Sequence, residues 1–498
     1  MTPAVAERYL DKEGVCRNLI GGEWVQVDSG EVFEDTNPAD TRQVLARFPK
    51  ANRETVKAAI DAAGEAQKKW AEVPPPERAR VLFKAAEILD AEKDEYAKLL
   101  TTEEGKTLAE SAGEITRTLG VLRFFSGSGY RMYGQVIPSD DPKVQIYTRR
   151  EPLGVVSIIT PWNFPILLAS WKIAPALVAG NGVVFKPASY TPLMGMRLAS
   201  LFERSGLPKG VLNFVTGSGE AVGDEMVRNP NVAAVSFTGS NTVGQSIQSA
   251  ASSRKTLNIL RVQLEMGGKN PTLVMDDADL DNAANIVVRA AFGVTGQSCS
   301  ATERVIVHDR VYDSFLRKLV DKASRLRIGN GLEGADMGPL VSMTERKKVL
   351  GYFEAGKGEG AQIAYGGGVP AGEQYAHGAY VQPTIFTDVS ANMSVAQEEI
   401  FGPVVAMFRF SNLDEGIEIA NSVEYGLLSS ICTNNLSVIQ EFVKKIKAGV
   451  VRVNRPTTGI EPQAPFGGMK KSGTNTYREN GDQAIEFYTQ MKTVYLGA

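Results

Sequence analysis

One cysteine and one glutamate stand out as the residues most able to do chemistry. Cys299 is one of only three cysteines, and small or polar residues surround it in the run 292–304. Upstream, Glu265 is the single carboxylate of an apolar and glycine-rich stretch, 263–271. A thiol nucleophile and an isolated carboxylate together indicate covalent catalysis assisted by a general base. The alternatives are a small buried thiol and a structural ion-pair carboxylate.

A shortage of histidine narrows this chemistry. The chain has only two histidines, His308 and His377, although histidine is the usual base for a cysteine nucleophile. A free thiol with a pKa of about 8.5 is mostly protonated at neutral pH. Activation must therefore come from Glu265 through water, from local dipoles or from a bound cofactor. We expect no metal, because no cluster of His, Cys and Asp has the spacing of metal ligands.

Composition indicates an ordinary soluble protein of two or three domains. The chain has 498 residues, of which 43% are apolar and 22% charged. Its net charge of -3 supplies no overall basic field, so we expect no nucleic-acid partner. No run approaches the roughly 18 apolar residues of a membrane helix, and residues 1–8 lack the apolar core of a signal peptide. The three distant cysteines form no disulfide framework, which favours a cytoplasmic location.

Short apolar strands alternate with helices between residues 153 and 251. We predict strands over 155–159, 182–185, 211–215 and 232–237, and helices over 171–179, 192–205, 219–228 and from Gly239 to about Ala251. Four such βα units predict a parallel, doubly wound sheet. Ligands bind such sheets at the carboxyl ends of the strands.

The flanking segments predict further elements. Helices are expected within 54–110, a hairpin over 19–27, a second α/β domain from about 270 to 450 with Cys299 near its start, and edge strands over 143–147 and 492–495.

Polar motifs follow several predicted strands. Asn163 lies between two prolines and is a candidate oxyanion donor, a role worth about 3–4 kcal/mol of barrier. Ser240 begins a helix where a pyrophosphate could bind, and Lys186 ends a strand where it could meet a ribose or phosphate. A plain turn, an N-cap and a surface lysine are the respective alternatives. The glycine-rich run 217–223 is one residue too long for the dinucleotide fingerprint, so a helix-start turn is favoured there.

Together these segments resemble the aldehyde dehydrogenase superfamily over nearly the whole chain. Its motifs occur in the family's order at 162–165, 237–240, 264–268, 296–299, 398–403 and 465–468. The resemblance implies an α/β fold with a Rossmann-type cofactor domain, a second α/β catalytic domain and a small β oligomerisation arm. The implied limits are 1–135 with 153–265 for the cofactor domain, 266–465 for the catalytic domain, and 136–152 with 466–498 for the arm and tail. A homodimer or homotetramer that pairs through edge strands is also implied.

The resemblance further implies catalytic roles. Cys299 would attack an aldehyde, while the Asn163 amide and the Cys299 N–H hold the oxyanion. Hydride would pass to NAD or NADP and leave a thioester on the cysteine. Glu265 would then activate the water that releases the acid. Lys172 and Glu479 match positions that the family links to proton relay.

Cofactor contacts are implied in the same way. Lys186 would reach the adenosine ribose, and Ser240 and Trp162 would contact the pyrophosphate. Glu399 would bind the nicotinamide ribose, with Phe401 against the ring. The remaining implied cofactor residues are Thr160, Pro161, Gly239 and Gly267.

Ser189 bears on the choice between the two cofactors. Strictly NAD-dependent relatives often carry glutamate at this position, where it accepts a hydrogen bond from the ribose 2′-hydroxyl. A glutamate would repel the 2′-phosphate of NADP, whereas serine would not. We therefore expect NADP to be accepted, with its rank against NAD left open.

The substrate follows from a loop near the C-terminus. Residues 453–466, with 478–481 and 486–488, look like the α-ketoglutarate semialdehyde (2,5-dioxopentanoate) dehydrogenases. In that loop Arg455 could attract a substrate carboxylate, or it could be a plain surface arginine. An aromatic wall for the substrate's alkyl part is expected from Phe164, Trp171 and Phe466.

These features predict oxidation of an oxo-acid semialdehyde to a carboxylic acid. A broad aliphatic or aromatic aldehyde dehydrogenase is the nearest alternative. A cysteine-dependent esterase and an inactive structural relative are alternatives from other classes. The scarcity of histidine argues against the esterase, and the intact Cys299, Glu265 and Asn163 argue against the inactive relative.

Overall fold

The computed structural model describes residues 8–27, 30–254 and 258–497. Residues 1–7, most of the segment considered for a signal peptide, lie outside the described residues. None of the described helices is long and apolar enough to cross a membrane.

Seven strands form the first sheet. Its five parallel strands are, in spatial order, Arg261–Glu265, Val232–Thr238, Val155–Ile159, Gly182–Lys186 and Leu212–Phe214. The predicted hairpin, Asn18–Ile20 and Glu23–Val25, extends the far edge antiparallel. Strand Gly182–Lys186 is buried along its whole length, as expected for a parallel sheet covered on both faces. The predicted doubly wound sheet is therefore confirmed.

The helices in this half of the chain either precede the parallel strands or connect them. They span Arg53–Glu72, Pro75–Ala91, Lys93–Glu104, Leu108–Ser128, Leu167–Ala179, Pro192–Arg204, Asp224–Arg228 and Asn241–Ser252. Helix Leu167–Ala179 begins four residues earlier than predicted and is buried throughout. The helix predicted over 219–228 divides into a wide turn, Gly219–Gly223, and a short helix, Asp224–Arg228. Glycines at both ends of that turn lower its helical propensity.

The second sheet also has seven strands. In spatial order they are Gln362–Tyr365, Thr384–Thr387, Val404–Phe410, Thr302–His308, Asn270–Val274, Leu428–Cys432 and Val450–Val453. Only the edge strand Gln362–Tyr365 runs antiparallel among these. Its helices are Leu280–Phe292, Tyr312–Ser324, Met343–Gly358, Ser394–Gln397, Leu413–Asn421 and Leu436–Lys445.

Smaller sheets complete the fold. Val144–Pro152 pairs with Thr489–Gly497 along nine residue pairs and with Val136–Ile137 on its other side. The other short elements are the hairpin Val32–Thr36 with Val44–Pro49, the pair Tyr425–Gly426 with Met469–Lys470, and the helix Gln483–Tyr488. Strands are thus present over both segments predicted as edge strands, 143–147 and 492–495, and both are longer than expected. Thr489–Gly497 does lie at an edge, but Val144–Pro152 is central, because Val136–Ile137 pairs with its other side. The domain limits stay a prediction.

The two large sheets meet at the segment that sequence analysis singled out. In chain order Arg261–Glu265 is the last strand of the first sheet, and Asn270–Val274, the first strand of the second, begins five residues after it ends. Glu265 lies at the carboxyl end of the first sheet, whereas Cys299 lies three residues before strand Thr302–His308, at the amino end of the second.

Candidate active site

Cys299 borders two cavities. It lies between helix Leu280–Phe292 and strand Thr302–His308, and its side chain is half-buried. A cavity of about 420 Å³ and another of about 350 Å³ both include this residue in their walls. Two different ligands can therefore approach the same sulfur.

The surroundings of the Cys299 thiol disfavour its ionised form. Burial raises the pKa of the Cys299 thiol well above its ordinary value, and the carboxylates of Glu399, Glu265 and Glu479 raise it further. The thiolate is the nucleophile, so this environment works against attack by Cys299. Substrate, cofactor or a proton acceptor must change its surroundings first.

A strained turn precedes the cysteine. Val294 and Thr295 have left-handed φ angles of 51° and 55°. Such conformations cost of order 1–3 kcal/mol each for residues other than glycine. Glu110 accepts the Val294 N–H at 2.6 Å, and the Thr295 hydroxyl donates to the Gly338 carbonyl at 3.0 Å. These hydrogen bonds, from residues distant in the sequence, hold the turn in place.

Asn163 is buried beside the cysteine loop. It is 2% exposed, and its Nδ2 donates to the Gln297 carbonyl at 3.0 Å. A side-chain amide has two N–H groups, so the second remains for another acceptor. Asn163 and Cys299 both line the smaller cavity, which brings the two candidate oxyanion donors together.

A buried lysine that sequence analysis missed holds the Asn163 turn. The Lys106 Nζ donates to the Asn163 carbonyl at 2.5 Å and to the Glu114 carboxylate at 2.7 Å. The same ammonium lies 4.3 Å from the centroid of the Phe164 ring. Glu114 in turn accepts two backbone N–H groups at the start of helix Leu167–Ala179, each at 3.2 Å. Nothing in the local sequence distinguishes Lys106 from a surface lysine.

Glu265 is the last residue of strand Arg261–Glu265 and lies buried among charged side chains. It is 4% exposed, and burial raises its pKa well above the ordinary range. The neighbouring Glu479 raises this pKa further, whereas Lys172 and Arg478 lower it. A Cβ atom at Gly467 would lie 2.7 Å from Glu265 Oε1, so only glycine leaves room for the carboxylate. Oε2 has no hydrogen-bond partner among the described residues.

The candidate relay pair lies next to Glu265. Lys172 and Glu479 form a buried ion pair, and the Lys172 Nζ also donates to the Ser236 hydroxyl at 3.1 Å. Glu479 is fixed through its backbone, which exchanges hydrogen bonds of 2.6 and 2.7 Å with Phe466. The structure thus brings together all three residues expected to move protons.

The smaller cavity collects the cofactor candidates. All of them except Ser189 line it: Thr160, Pro161, Trp162, Lys186, Gly239, Ser240, Gly267, Glu399 and Phe401. Ser189 lies in an exposed turn just after strand Gly182–Lys186.

One end of this cavity suits a ribose and phosphates. The Lys186 Nζ donates to the Pro187 carbonyl at 2.9 Å, and burial lowers its pKa to about 8. The Thr160 hydroxyl is buried with no partner among the described residues. Ser240 caps helix Asn241–Ser252, whose N-terminus presents N–H groups and a positive dipole. These groups fit the adenosine ribose and pyrophosphate of a dinucleotide.

The other end places an acid and an aromatic ring near the cysteine. Glu399 accepts the Gly268 N–H at 2.8 Å, and burial raises its pKa to about 8. A Cβ atom at Gly267 would lie 2.0 Å from the Glu399 carboxylate, which explains the glycine. Phe401 packs edge-to-face on Trp162 with ring centroids 5.3 Å apart.

A second buried ion pair, also missed by sequence analysis, fixes that end. Glu303 pairs with Lys269 at 2.5 Å. Its carboxylate accepts the N–H groups of Ile400 at 3.0 Å and Phe401 at 3.1 Å. The turn that carries Glu399 and Phe401 is therefore held by charge-assisted hydrogen bonds.

The larger cavity has the expected aromatic wall. Phe164, Trp171 and Phe466 line it, and the last two pack with centroids 5.4 Å apart. Arg455 does not line this cavity. It is exposed, and the first residue of its loop that lines the cavity is Thr458, three residues later. The arginines that do line this cavity are Arg117 and Arg289, which sequence analysis missed.

The two histidines lie away from the cysteine. His308 ends the seven-residue strand Thr302–His308, about 20 Å from its start. The His377 carbonyl accepts a hydrogen bond from Thr41 near the N-terminus. Among the described residues that line the two cavities at Cys299, no histidine occurs. Over the described ranges no group of three or more His, Cys, Asp or Glu is placed to hold a metal ion.

Comparison with known proteins finds a family model and relatives that match almost the whole chain. The Aldehyde dehydrogenase family model matches residues 24–494. The α-ketoglutarate semialdehyde dehydrogenase of Haloferax volcanii is 47% identical over 479 residues, which cover 96% of this chain and 98% of the relative. The 2,5-dioxopentanoate dehydrogenase of Saccharolobus solfataricus is 45% identical and covers 96% and 98% respectively.

Solved structures show the same fold. A betaine aldehyde dehydrogenase from Staphylococcus aureus in complex with NAD+ has a TM-score of 0.93 and 35% identity, covering 96% of this chain and 94% of that one. A 3,6-anhydro-L-galactose dehydrogenase in complex with NADP has a TM-score of 0.93 and 38% identity, covering 97% and 99%. The predicted fold class is confirmed.

Proposed function

The chain belongs to the aldehyde dehydrogenase family, and from that membership we propose that it oxidises α-ketoglutarate semialdehyde to the dicarboxylic acid with NAD or NADP. The observation that carries this proposal is the position of Cys299 between an aromatic-walled cavity and a second cavity lined by cofactor candidates. The substrate is supported by relatives of 47% and 45% identity that carry this activity in their names.

Residues of the smaller cavity would hold the cofactor. Lys186 and Ser240 lie where the adenosine ribose and pyrophosphate would bind, and Glu399 and Phe401 lie where the nicotinamide end would bind. When bound, the oxidised nicotinamide supplies a hydride acceptor close to Cys299. This orientation leaves the larger cavity free for the aldehyde.

The chain's own residues would then act in order. The Cys299 thiol would give its proton to solvent water, its sulfur would attack the aldehyde carbon, and the carbonyl oxygen would become an oxyanion held by the Asn163 Nδ2 and the Cys299 N–H. After oxidation the substrate remains on the cysteine as a thioester. Glu265 takes a proton from water, which attacks the thioester carbon and expels the thiolate. Lys172 and Glu479 would carry the proton away from Glu265.

An aldehyde panel with both cofactors tests the proposal. We expect reduced nicotinamide to form with the highest kcat/KM for α-ketoglutarate semialdehyde, compared with pentanal and benzaldehyde at matched concentrations. Equal kcat/KM values for all three would favour the broad-specificity alternative. Ester hydrolysis without any nicotinamide reduction would favour the esterase alternative.

Cofactor choice can be tested at Ser189. The Ser189→Glu variant should lower kcat/KM with NADP by about fivefold to fiftyfold while changing the value for NAD little, because a carboxylate there repels the 2′-phosphate. The measurement is the ratio of kcat/KM for the two cofactors with one aldehyde. Ser189→Gln is the neutral control of the same shape. An unchanged ratio in Ser189→Glu would remove Ser189 from the cofactor site.

Assembly and location remain proposals. A homodimer or homotetramer is supported by the edge strand Thr489–Gly497, on which Met491, Tyr495 and Leu496 are exposed. An unpaired strand edge with apolar side chains is suited to pairing with a second copy. A cytoplasmic location stays a prediction from the cysteine usage.

A further inference from the structure

Two arginines line the larger cavity together with Cys299. Arg117 comes from helix Leu108–Ser128, and Arg289 from the last turn of helix Leu280–Phe292. Arg117 is half-buried and Arg289 is exposed. The two cations therefore line the same cavity and differ in exposure.

The two acidic side chains that line this cavity, Glu110 and Asp336, already accept hydrogen bonds. Glu110 accepts the Thr107 N–H and hydroxyl, both at 2.9 Å, and the Val294 N–H at 2.6 Å. Asp336 receives two hydrogen bonds from Arg327, at 2.8 and 3.0 Å. Asp336 is therefore paired with another arginine, and both Glu110 oxygens already accept hydrogen bonds from neutral groups.

The arginines, by contrast, lack acidic partners. Across 8–27, 30–254 and 258–497, neither Arg117 nor Arg289 takes part in an ion pair, and the buried Arg117 Nε has no hydrogen-bond partner. The Arg117 guanidinium lies 5.7 Å from the centroid of the Phe164 ring, next to the Asn163 turn. An unsatisfied buried N–H of a charged group costs free energy unless a ligand satisfies it.

We propose that Arg117 and Arg289 form a carboxylate-binding subsite that selects aldehydes carrying an acid group at the other end of the chain. This inference rests on the proposed function and deepens it. The guanidinium fork matches a carboxylate, and an aromatic wall contacts the carbons between carboxylate and aldehyde. Half-buried Arg117 supplies the stronger hydrogen bonds, and exposed Arg289 attracts the anion at the entrance. This pair takes the role that the sequence offered to Arg455.

The test compares an anionic and a neutral substrate of equal carbon number, α-ketoglutarate semialdehyde and pentanal. Arg117→Gln should lower kcat/KM for the anionic aldehyde by about 10- to 100-fold, mainly through KM, and leave pentanal unchanged. Arg289→Gln should lower it by about threefold to tenfold, with a loss that shrinks at high salt. Arg117→Lys should restore part of the selectivity. Arg123→Gln is the matched control, because Arg123 lies on the same helix, outside the cavity, paired with Asp90.

The outcomes separate the subsite from the proposed function. Equal losses for both substrates in Arg117→Gln would show a merely structural role and overturn the subsite. Equal kcat/KM values of the unmodified enzyme for pentanal and for the anionic aldehyde would also overturn the subsite, but would leave the dehydrogenase activity established. An enzyme that oxidises neither aldehyde with either cofactor would overturn the proposed function itself.

Discussion

Replacing Cys299 with alanine is expected to abolish aldehyde-dependent reduction of the nicotinamide, lowering kcat by about 10⁴-fold or more. The sulfur is the one nucleophilic atom that borders both cavities among the described residues. Without it, no covalent adduct holds the aldehyde carbon in place during oxidation. The measurement is the initial rate of reduced-nicotinamide absorbance at saturating aldehyde.

Two controls make the Cys299→Ala result specific. Cys432→Ala removes a thiol from the buried strand Leu428–Cys432 and should leave turnover close to that of the unmodified enzyme. The Cys299→Ala variant should still bind the cofactor, as measured by quenching of protein fluorescence, because the candidate cofactor-binding residues remain. Full turnover in Cys299→Ala would refute the thioester mechanism.

Replacing Glu265 with glutamine should uncouple the two halves of the reaction. The amide keeps the shape of the carboxylate but cannot take a proton from water, so the thioester accumulates. Rapid mixing should show a burst of about one reduced nicotinamide per active site, followed by turnover slowed by about 10²- to 10⁴-fold. Acid trapping and mass spectrometry should find the acyl group on Cys299.

The pH profile gives a second readout for Glu265. Burial raises its pKa, so the carboxyl is protonated and inactive as a base below that pKa, and kcat should rise as pH increases through it. Glu265→Gln should lose this rising limb. Glu72→Gln, a change at an exposed helical position, is the matched control and should keep both the limb and full turnover. A Glu265→Gln enzyme with no burst would place Glu265 before hydride transfer instead.

Much of the site could be predicted because its chemistry depends on residue types within short motifs. Cys299 stood out through its polar surroundings and the scarcity of histidine, and Glu265 through its isolation in an apolar run. Alternating strands and helices predicted the doubly wound sheet, since periodicity is a local property. The resemblance then predicted the cofactor residues, and all but Ser189 line one cavity.

Other features depended on contacts that no local pattern records. Lys106 holds the carbonyl of Asn163 from 57 residues away, and Glu110 holds Val294 from 184 residues away. The direction of the pKa shift at Cys299 depends on burial and on carboxylates from three separate segments.

The contrast is sharpest among the arginines. Sequence by itself determined the reaction class, because a nucleophile, a base and a cofactor cradle each require particular residues at particular strand ends. It also pointed to Arg455, whose loop does reach the cavity at Thr458. Only the tertiary structure decided which arginines line the larger cavity. Two helices distant in the chain bring Arg117 and Arg289 to one cavity, and such packing is set by the whole core rather than by the residues beside each arginine.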